Sequence, residues 1–573
     1  MRILLLTHAF NSLSQRLFVE LAGDGHELSV ELDIHDRVTL ETIGLFRPEV
    51  ILAPFLKRAI PPTVWREQLC LIVHPGPQGD RGPAALDWAI LRGAPQWGVT
   101  VLQADADWDT GPVWGCAAFP MRFAPKSSLY RNEVTEGAVV AVRAALARIA
   151  SGAGPIAPAN RADGQGWQPP LPAARRAIDW SRDATAAVLR KIHSADGAPG
   201  VEDLLLERRV RLFDAHPEQR LAGRPGALIA RHHGAVCRAT RDGAVWIGQL
   251  RLLEGPRRGL KLPAAHALGT DAQALPESDA TADAGGGVRD LEIGYEERGA
   301  VGYLHFPFHN GALSTAQCER LRAAYAEARA RPTRVIVLMG GADFWCNGMH
   351  LHCIEAAASP ADESWANINA IDDLTRDILD TATHLTVAAL QGNAAAGGVF
   401  LALAADRVLA RSGIVLNPHY RNMGNLYGSE YWTYLLPRRV GPGQATALMA
   451  RRLPLGVHEA ERLGLIDEDA GPSGGEFRSL VDARAAALAE PARFAAALEV
   501  KRAARVRDEA QRPLSAYRAD ELERMRLNFY GFDPSYHIAR HRFVYRAPHA
   551  WTPLHLAVHR RIGFDAPRGA LGA

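Results

Sequence analysis

With 573 residues the chain exceeds what one hydrophobic core can organise, so several domains are expected. A balance of 65 Lys and Arg against 63 Asp and Glu leaves a net charge of +2, too weak a field to make nucleic acid or an anionic membrane the partner. A composition of 47% hydrophobic and 22% charged residues excludes the disordered and membrane-spanning classes, and six cysteines without a CxxC pair fit a reducing, cytoplasmic setting, so small-molecule ligands become the default.

The N-terminal MRILLLTHAF contains one short apolar run and predicts a first buried strand rather than a leader. Further apolar runs at Val50 to Ala53, Leu69 to Val73 and Val99 to Leu102 alternate with helical patterns such as Leu13 to Leu21, which predicts a parallel sheet covered by helices. Ligands on such sheets bind at the carboxyl ends of strands, where His8 to Ser12 and His74 to Gly76 fall, so Asn11 becomes a candidate binding residue. The Pro- and Gly-rich stretch Gly152 to Pro172 is expected to be a linker. A helix at Ala184 to His193 follows. Strand-like pieces at Leu204 to Leu206, Val210 to Phe213, Ala235 to Ala239, Val245 to Ile247 and Leu250 to Leu253 then predict a small β-barrel. Thr270 to Gly287 is Ala-, Asp- and Gly-rich and is expected to be a second linker that does not order itself. Strand-like runs return at Val301 to Phe306, Val335 to Met339, Leu385 to Leu390 and Ile414 to Leu416, and the chain turns helical after Arg478.

His74-Pro75, Arg81-Gly82 with Trp88, Gly98-Val99-Thr100 and Asp109-Thr110-Gly111 occur in an order that resembles the folate-dependent formyltransferases over residues 1 to about 150. Alone, a His at a strand end is a packing residue and an Asp before Gly a turn former; four elements in register argue otherwise. Formyl transfer passes through a tetrahedral oxyanion and needs a proton shuttle, which an imidazole steadied by a carboxylate supplies. The resemblance therefore implies His74 and Asp109 as the catalytic pair and Arg81 and Gly82 as binding residues, with 10-formyltetrahydrofolate as donor. The family's Asn two residues before the His is Ile72 here, so the oxyanion arrangement must differ, and a thiol acceptor makes the reaction less demanding. Ile178-Asp179-Trp180 and Pro199-Gly200 resemble the start of the methionyl-tRNA formyltransferase C-terminal domain, an OB-like barrel, here expected to support packing rather than bind tRNA.

DFWCNGMHL (343–351) and QGNAAAGGVFLALAAD (391–406) resemble the two signature segments of the crotonase superfamily. The resemblance implies that the amides of Met349 and Gly397 bind a thioester carbonyl of coenzyme A, with Gly398 and Gly397 allowing close backbone approach. The two hydratase glutamates fall near Phe400 and His419, so hydration is not expected. In their place stands NPHYRNMGNLYGSEYWTYLLPRRVG, from which Tyr420 and Glu430 are the expected catalytic residues and His419 and Tyr434 expected binding residues; His350, in DFWCNGMHL, is a further expected binding residue. Cys346, His350, His352 and Cys353 match no common ligand spacing, so no metal is expected.

The expected fold is α/β multidomain: a Rossmann-like formyltransferase domain (1–155), an OB-like barrel (175–265), a linker (266–288) and a crotonase-fold domain with a helical C-terminus (289–573). This order, with the terminal MRLNFYGFDPSYHIARHRFVYR, resembles a family of nickel-iron hydrogenase maturation proteins. That resemblance implies formyl transfer from 10-formyltetrahydrofolate to coenzyme A, decarbonylation of formyl-CoA, and maturation proteins as partners, with neither nucleic acid nor membrane. The competing readings are an amine formyltransferase joined to a larger acyl-CoA enzyme, and a CoA-bound scaffold without turnover.

Overall fold

The computed structural model describes residues 1–156, 166–278, 292–472 and 474–561, and the backbone of 281–282 and 288–289. The chain forms two compact units, Met1–Glu277 with Pro548–Ala573, and Ser278–Ala547.

In the first unit, Ile3, Leu4 and Leu5 are 0% exposed, as a strand covered on both faces requires. Burying each such side chain contributes ~1.5–3 kcal/mol. The strands are β1 (Arg2–Thr7), β2 (Glu27–Leu32), β3 (Val50–Phe55), β4 (Cys70–His74), β5 (Gln96–Gln103) and β6 (Val113–Pro120), in the order β2-β1-β3-β4-β5-β6. The expected parallel sheet holds from β2 to β4 only. β5 is antiparallel to β4, with His74 opposite Thr100, and β6 is antiparallel to β5. The short segment 104–112 is too brief for a crossover and closes β5 and β6 as a hairpin.

β2 lies at the sheet edge, and the last described residues of the chain cover it. The Leu32 amide donates to Thr552 Oγ at 2.9 Å and the Val30 amide to the Leu556 carbonyl at 3.1 Å. Glu31, 0% exposed, takes Thr42 Oγ at 2.9 Å and faces His559 Nε2 at 3.2 Å, while His559 Nδ1 lies 2.7 Å from Ser29 Oγ. The expectation that one domain runs from 289 to 573 is corrected here: from Pro548 the chain belongs to the first unit.

Where a small barrel was expected, the strands are β7 (Val201–Leu205), β8 (Arg208–Glu218), β9 (Leu228–His232), β10 (Ala235–Ala239), β11 (Ala244–Leu252) and β12 (Lys261–Pro263). Their order is β7-β8-β11-β10-β9, with β12 also on β11, and every pairing is antiparallel. Two expected strands are the single β11, joined through Gly248, where a β-carbon would come 2.2 Å from the Asp214 carboxylate. The expected second linker is ordered as far as Ser278. Thr270–Gln273 forms a helical turn with Ala272 buried, and Arg231 pairs with Glu277 at 2.6 Å. Residues 279–280 and 283–287 of that linker, and 157–165 of the first, lie outside the described residues.

The second unit is built on a sheet ordered Thr281–Ala282, Val288–Arg289, Gly294–Arg298, Val301–His305, Val335–Met339, Leu385–Leu390, Arg407–Ala410 and Glu468–Asp469. The strands from Val301–His305 onward are parallel. Helices Thr315–Arg329 and Pro360–Leu379 contribute Tyr325, Ile371 and Leu374 to the core that also holds Phe306 and Phe400. A smaller layer of Phe344–Cys346, Asn393–Ala395, Val415–Asn417 and Leu455–Gly456, with the pair Ala312–Leu313 and Gly348–Met349, carries the signature segments.

Candidate functional sites

His74 ends β4, buried, with a carboxylate at each ring nitrogen. Nε2 lies 2.9 Å from Asp80 Oδ2, and Nδ1 lies 3.6 Å from Asp109 Oδ2. The Asp80 contact exists because residue 76 is glycine: a β-carbon there would sit 2.4 Å from Asp80 Oδ2 and 2.5 Å from His74 Nε2. β5 fixes the turn, since Thr100 Oγ donates to the Gly76 carbonyl at 2.9 Å and Trp97 Nε1 to the Pro75 carbonyl at 2.8 Å.

Asp109 has a left-handed backbone, φ 57°, and its Oδ2 also accepts the Gly82 amide at 2.9 Å. Gly82, φ 113°, passes so close to Gln168 that a β-carbon would lie 2.1 Å from the Gln168 carbonyl oxygen. Arg81 donates from Nε to the Trp108 carbonyl at 3.3 Å, and its own carbonyl accepts the Gln168 amide at 2.6 Å. The end of the stretch expected to be a free linker therefore braces this site. Asn11 is engaged as a helix cap: its Oδ1 accepts the Ser14 amide at 3.0 Å ahead of helix Ser12–Gly23. The imidazole, with an acceptor on both sides, is held in one orientation and can carry a proton without a large rearrangement.

In the second unit the two signature segments meet closely. A β-carbon at Gly348 would lie 3.4 Å from the Gly397 nitrogen, and one at Gly398 would lie 2.0 Å from the Cys346 carbonyl oxygen. Gly397 follows Ala396, φ 49°, at the first turn of helix Gly397–Leu403, where intrahelical carbonyls do not reach the amides. Against Gly397 stands Glu430: a β-carbon at Gly397 would fall 2.0 Å from Glu430 Oε1.

Glu430 is 1% exposed with φ 58°, and Tyr420 Oη donates to its Oε2 at 2.6 Å. Burial, with the negative charge of Asp372 next, pushes the Glu430 carboxyl far above the usual carboxylate range; burial does the same to the Tyr420 phenol, reinforced by Glu430. Phe400, where the hydratase glutamate was sought, is fully buried and stacks on the Tyr420 ring at 5.3 Å.

The expected binding residues are more dispersed. His350 caps helix Leu351–Ala356, with Nδ1 accepting the Cys353 amide at 3.2 Å and its own amide reaching Asn367 Oδ1 at 3.2 Å, which fixes the chain beside Met349. His419 is buried, and its amide shares the Asn417 carbonyl with the Ala396 amide, at 2.8 and 2.9 Å. The Tyr434 hydroxyl bonds to Asp508 Oδ2 and Arg505 Nη1, both at 2.8 Å, and the guanidinium of Arg438 covers its ring. That places it in a charged packing network. Among the described residues no group of three His, Cys, Asp or Glu is arranged to hold a metal. Sequence reasoning missed Asp80, Asp372, Ser429 and Glu521, although the GPQGD run after His74-Pro75 carried a turn signal that could have pointed to Asp80.

Family models match in two places: formyl transferase, C-terminal domain, over residues 170–260, and enoyl-CoA hydratase/isomerase over residues 298–525. The chain is thus a two-module protein that joins a formyltransferase part to one of enoyl-CoA hydratase fold. A methionyl-tRNA formyltransferase of Dechloromonas aromatica is 31% identical over 179 residues, which are 31% of this chain and 56% of that protein. The hydrogenase maturation factor HoxX of Bradyrhizobium diazoefficiens is 55% identical over 98% of this chain and 97% of its own length. The crystal structure of HypX from Aquifex aeolicus in complex with tetrahydrofolic acid superposes with a TM-score of 0.94 at 49% identity, covering 99% of this chain and 100% of that one. The chain belongs to the HoxX/HypX family of hydrogenase maturation factors.

Proposed function

We propose that this chain makes carbon monoxide for a nickel-iron hydrogenase, in two steps that use coenzyme A and 10-formyltetrahydrofolate as substrates. Tetrahydrofolic acid in the Aquifex aeolicus relative supports folate chemistry in the first unit. There the CoA sulfur attacks the formyl carbon, the bond from that carbon to the folate nitrogen breaks, and His74 carries the thiol proton to the nitrogen. Asp80 and Asp109 hold the ring and stabilise its cationic form. Formyl-CoA and tetrahydrofolate result.

The observation that carries the second step is the buried Glu430 carboxylate lodged against Gly397, with Tyr420 bonded to it. A formyl thioester has a hydrogen on its carbonyl carbon. Glu430 takes that proton, the carbon keeps the electron pair, and the C–S bond breaks with its electrons going to sulfur. The proton then returns from the Glu430 and Tyr420 pair to the thiolate. The balance is formyl-CoA to carbon monoxide and CoA, with no oxidant or reductant consumed. The Met349 and Gly397 amides steady the carbonyl oxygen.

No helix among the described residues is long and apolar enough to cross a membrane; we place the reaction in the cytoplasm, with other hydrogenase maturation proteins as receivers. Labelled 10-formyltetrahydrofolate, CoA and protein are incubated with haemoglobin as a gas trap. Labelled carbon monoxide that requires both substrates is expected. Turnover of crotonyl-CoA with no labelled gas would instead favour a larger acyl-CoA substrate.

A further inference from the structure

Three carboxylates converge on the turn 429–433 of the second unit, and only that of Glu430 faces Gly397. Asp372, on helix Pro360–Leu379, is 0% exposed; its Oδ1 accepts the Glu430 amide and its Oδ2 the Ser429 hydroxyl, both at 2.8 Å. Glu521, on helix Leu514–Tyr530, is also 0% exposed. Its Oε2 accepts the Tyr431 amide at 2.9 Å and faces Ser429 Oγ at 3.3 Å; its Oε1 accepts the Thr433 amide at 2.8 Å and the Thr433 hydroxyl at 2.6 Å. Glu430 and Tyr431 are consecutive left-handed residues, φ 58° and 59°, a course that side-chain-bearing residues rarely take unless it is imposed. Tyr431, the N-cap of helix Trp432–Val440, makes no side-chain cap, and Glu521 accepts the Thr433 amide of the first turn in its place.

We infer that Asp372 and Glu521 are positioning residues of the formyl-thioester site: acceptors from two separate helices impose the left-handed turn and thereby aim the Glu430 carboxylate at Gly397. The inference rests on the decarbonylation assigned to Glu430 above. The groups facing Glu430 are Asp372, Glu521, the Tyr420 phenol, and the thiols of Cys346 and Cys318; Arg518 stands 3.7 Å behind Asp372 and also pairs with Asp373 at 2.6 Å. Asp372, and Glu521 once it ionises, oppose the loss of a proton from Glu430. Glu430 consequently holds the abstracted formyl hydrogen until the thiolate needs it, rather than surrendering it to water.

The test uses the full chain and the variants Asp372→Asn, Glu521→Gln and Glu430→Gln. Single-turnover release of carbon monoxide from formyl-CoA is followed from pH 5 to 9, beside pH-difference infrared spectra in which the Glu430 carboxyl band is the one lost in Glu430→Gln. Asp372→Asn keeps the shape and one acceptor. It is expected to lower kcat by about ten-fold with KM within about two-fold, and to move the rate midpoint and the infrared band down by about one pH unit. Glu521→Gln is expected to move both midpoints in the same direction; should it fail to fold, Asp372→Asn decides alone. Unmoved midpoints in the folded variants, with Glu430→Gln inactive, overturn the inference. Full activity of Glu430→Gln overturns the decarbonylation assignment instead, and the infrared midpoint of Asp372→Asn still decides the positioning claim.

Discussion

A single imidazole can take a proton from sulfur and give it to nitrogen only if both of its charge states are tolerated. The two carboxylates on His74 meet that requirement from opposite edges of the ring. His74→Ala is expected to slow tetrahydrofolate formation from 10-formyltetrahydrofolate and CoA by ~10²–10⁴-fold, and Asp80→Asn by about ten-fold, measured as initial rates. Glu430→Gln removes the only proposed base of the second step and is expected to cost at least ~10²-fold in carbon monoxide release. Because its carboxyl is held above the usual carboxylate range, the wild-type rate should still climb through neutral pH, where an ordinary glutamate would already have levelled off. The His74 and Asp109 constellation was legible because four motif elements share an order, and the structure sets the two side chains 3.6 Å apart. Asp80 was not: the GPQGD run signals a turn, but a turn signal alone does not say that the carboxylate folds back onto His74. Asp372 and Glu521 were equally hidden, since IDDLTRD and ADELERM look like the solvated faces of ordinary helices.

Elements carry the next set of consequences. Helix Leu514–Tyr530 presents Glu521, whose carboxyl burial pushes up to about 8. The folded form thus keeps a proton that the unfolded chain releases near its ordinary value of 4.5. Stability from this group is complete below the unfolded value and is lost as pH rises towards about 8. Thermal unfolding of the wild type should therefore fall between pH 5 and 8, and Glu521→Gln, where it folds, should flatten that slope. The loop holding Gly82 is tested differently. Alanine there would need φ 113° and would press on the Gln168 carbonyl, so Gly82→Ala should destabilise the first unit by more than ~1 kcal/mol, read from denaturant unfolding. Apolar runs placed β1, β3, β4 and β5 correctly in the chain, but they encode burial and not direction, so the antiparallel β5 and β6 were invisible. Gly248 likewise looked like a break between two strands, whereas it keeps β11 continuous beside Asp214.

At the scale of the molecule, the sequence separated the formyltransferase and hydratase-fold parts well, because each carries its own signature segments. It could not show that the terminal residues return to the first unit, since Glu31 and His559 are joined by fold and not by pattern. Deleting residues 548–573 removes Thr552 and His559 from a fully buried glutamate, which should destabilise the first unit by about 3–5 kcal/mol while the second keeps its own transition in calorimetry.

That tail also sets a timetable for synthesis. The body of the first unit is translated before the second, yet the segment that covers β2 is translated after it. Throughout translation of the intervening 270 residues an open sheet edge and a glutamate meant for burial face the cell, so any chain that terminates early carries its own mark of incompleteness.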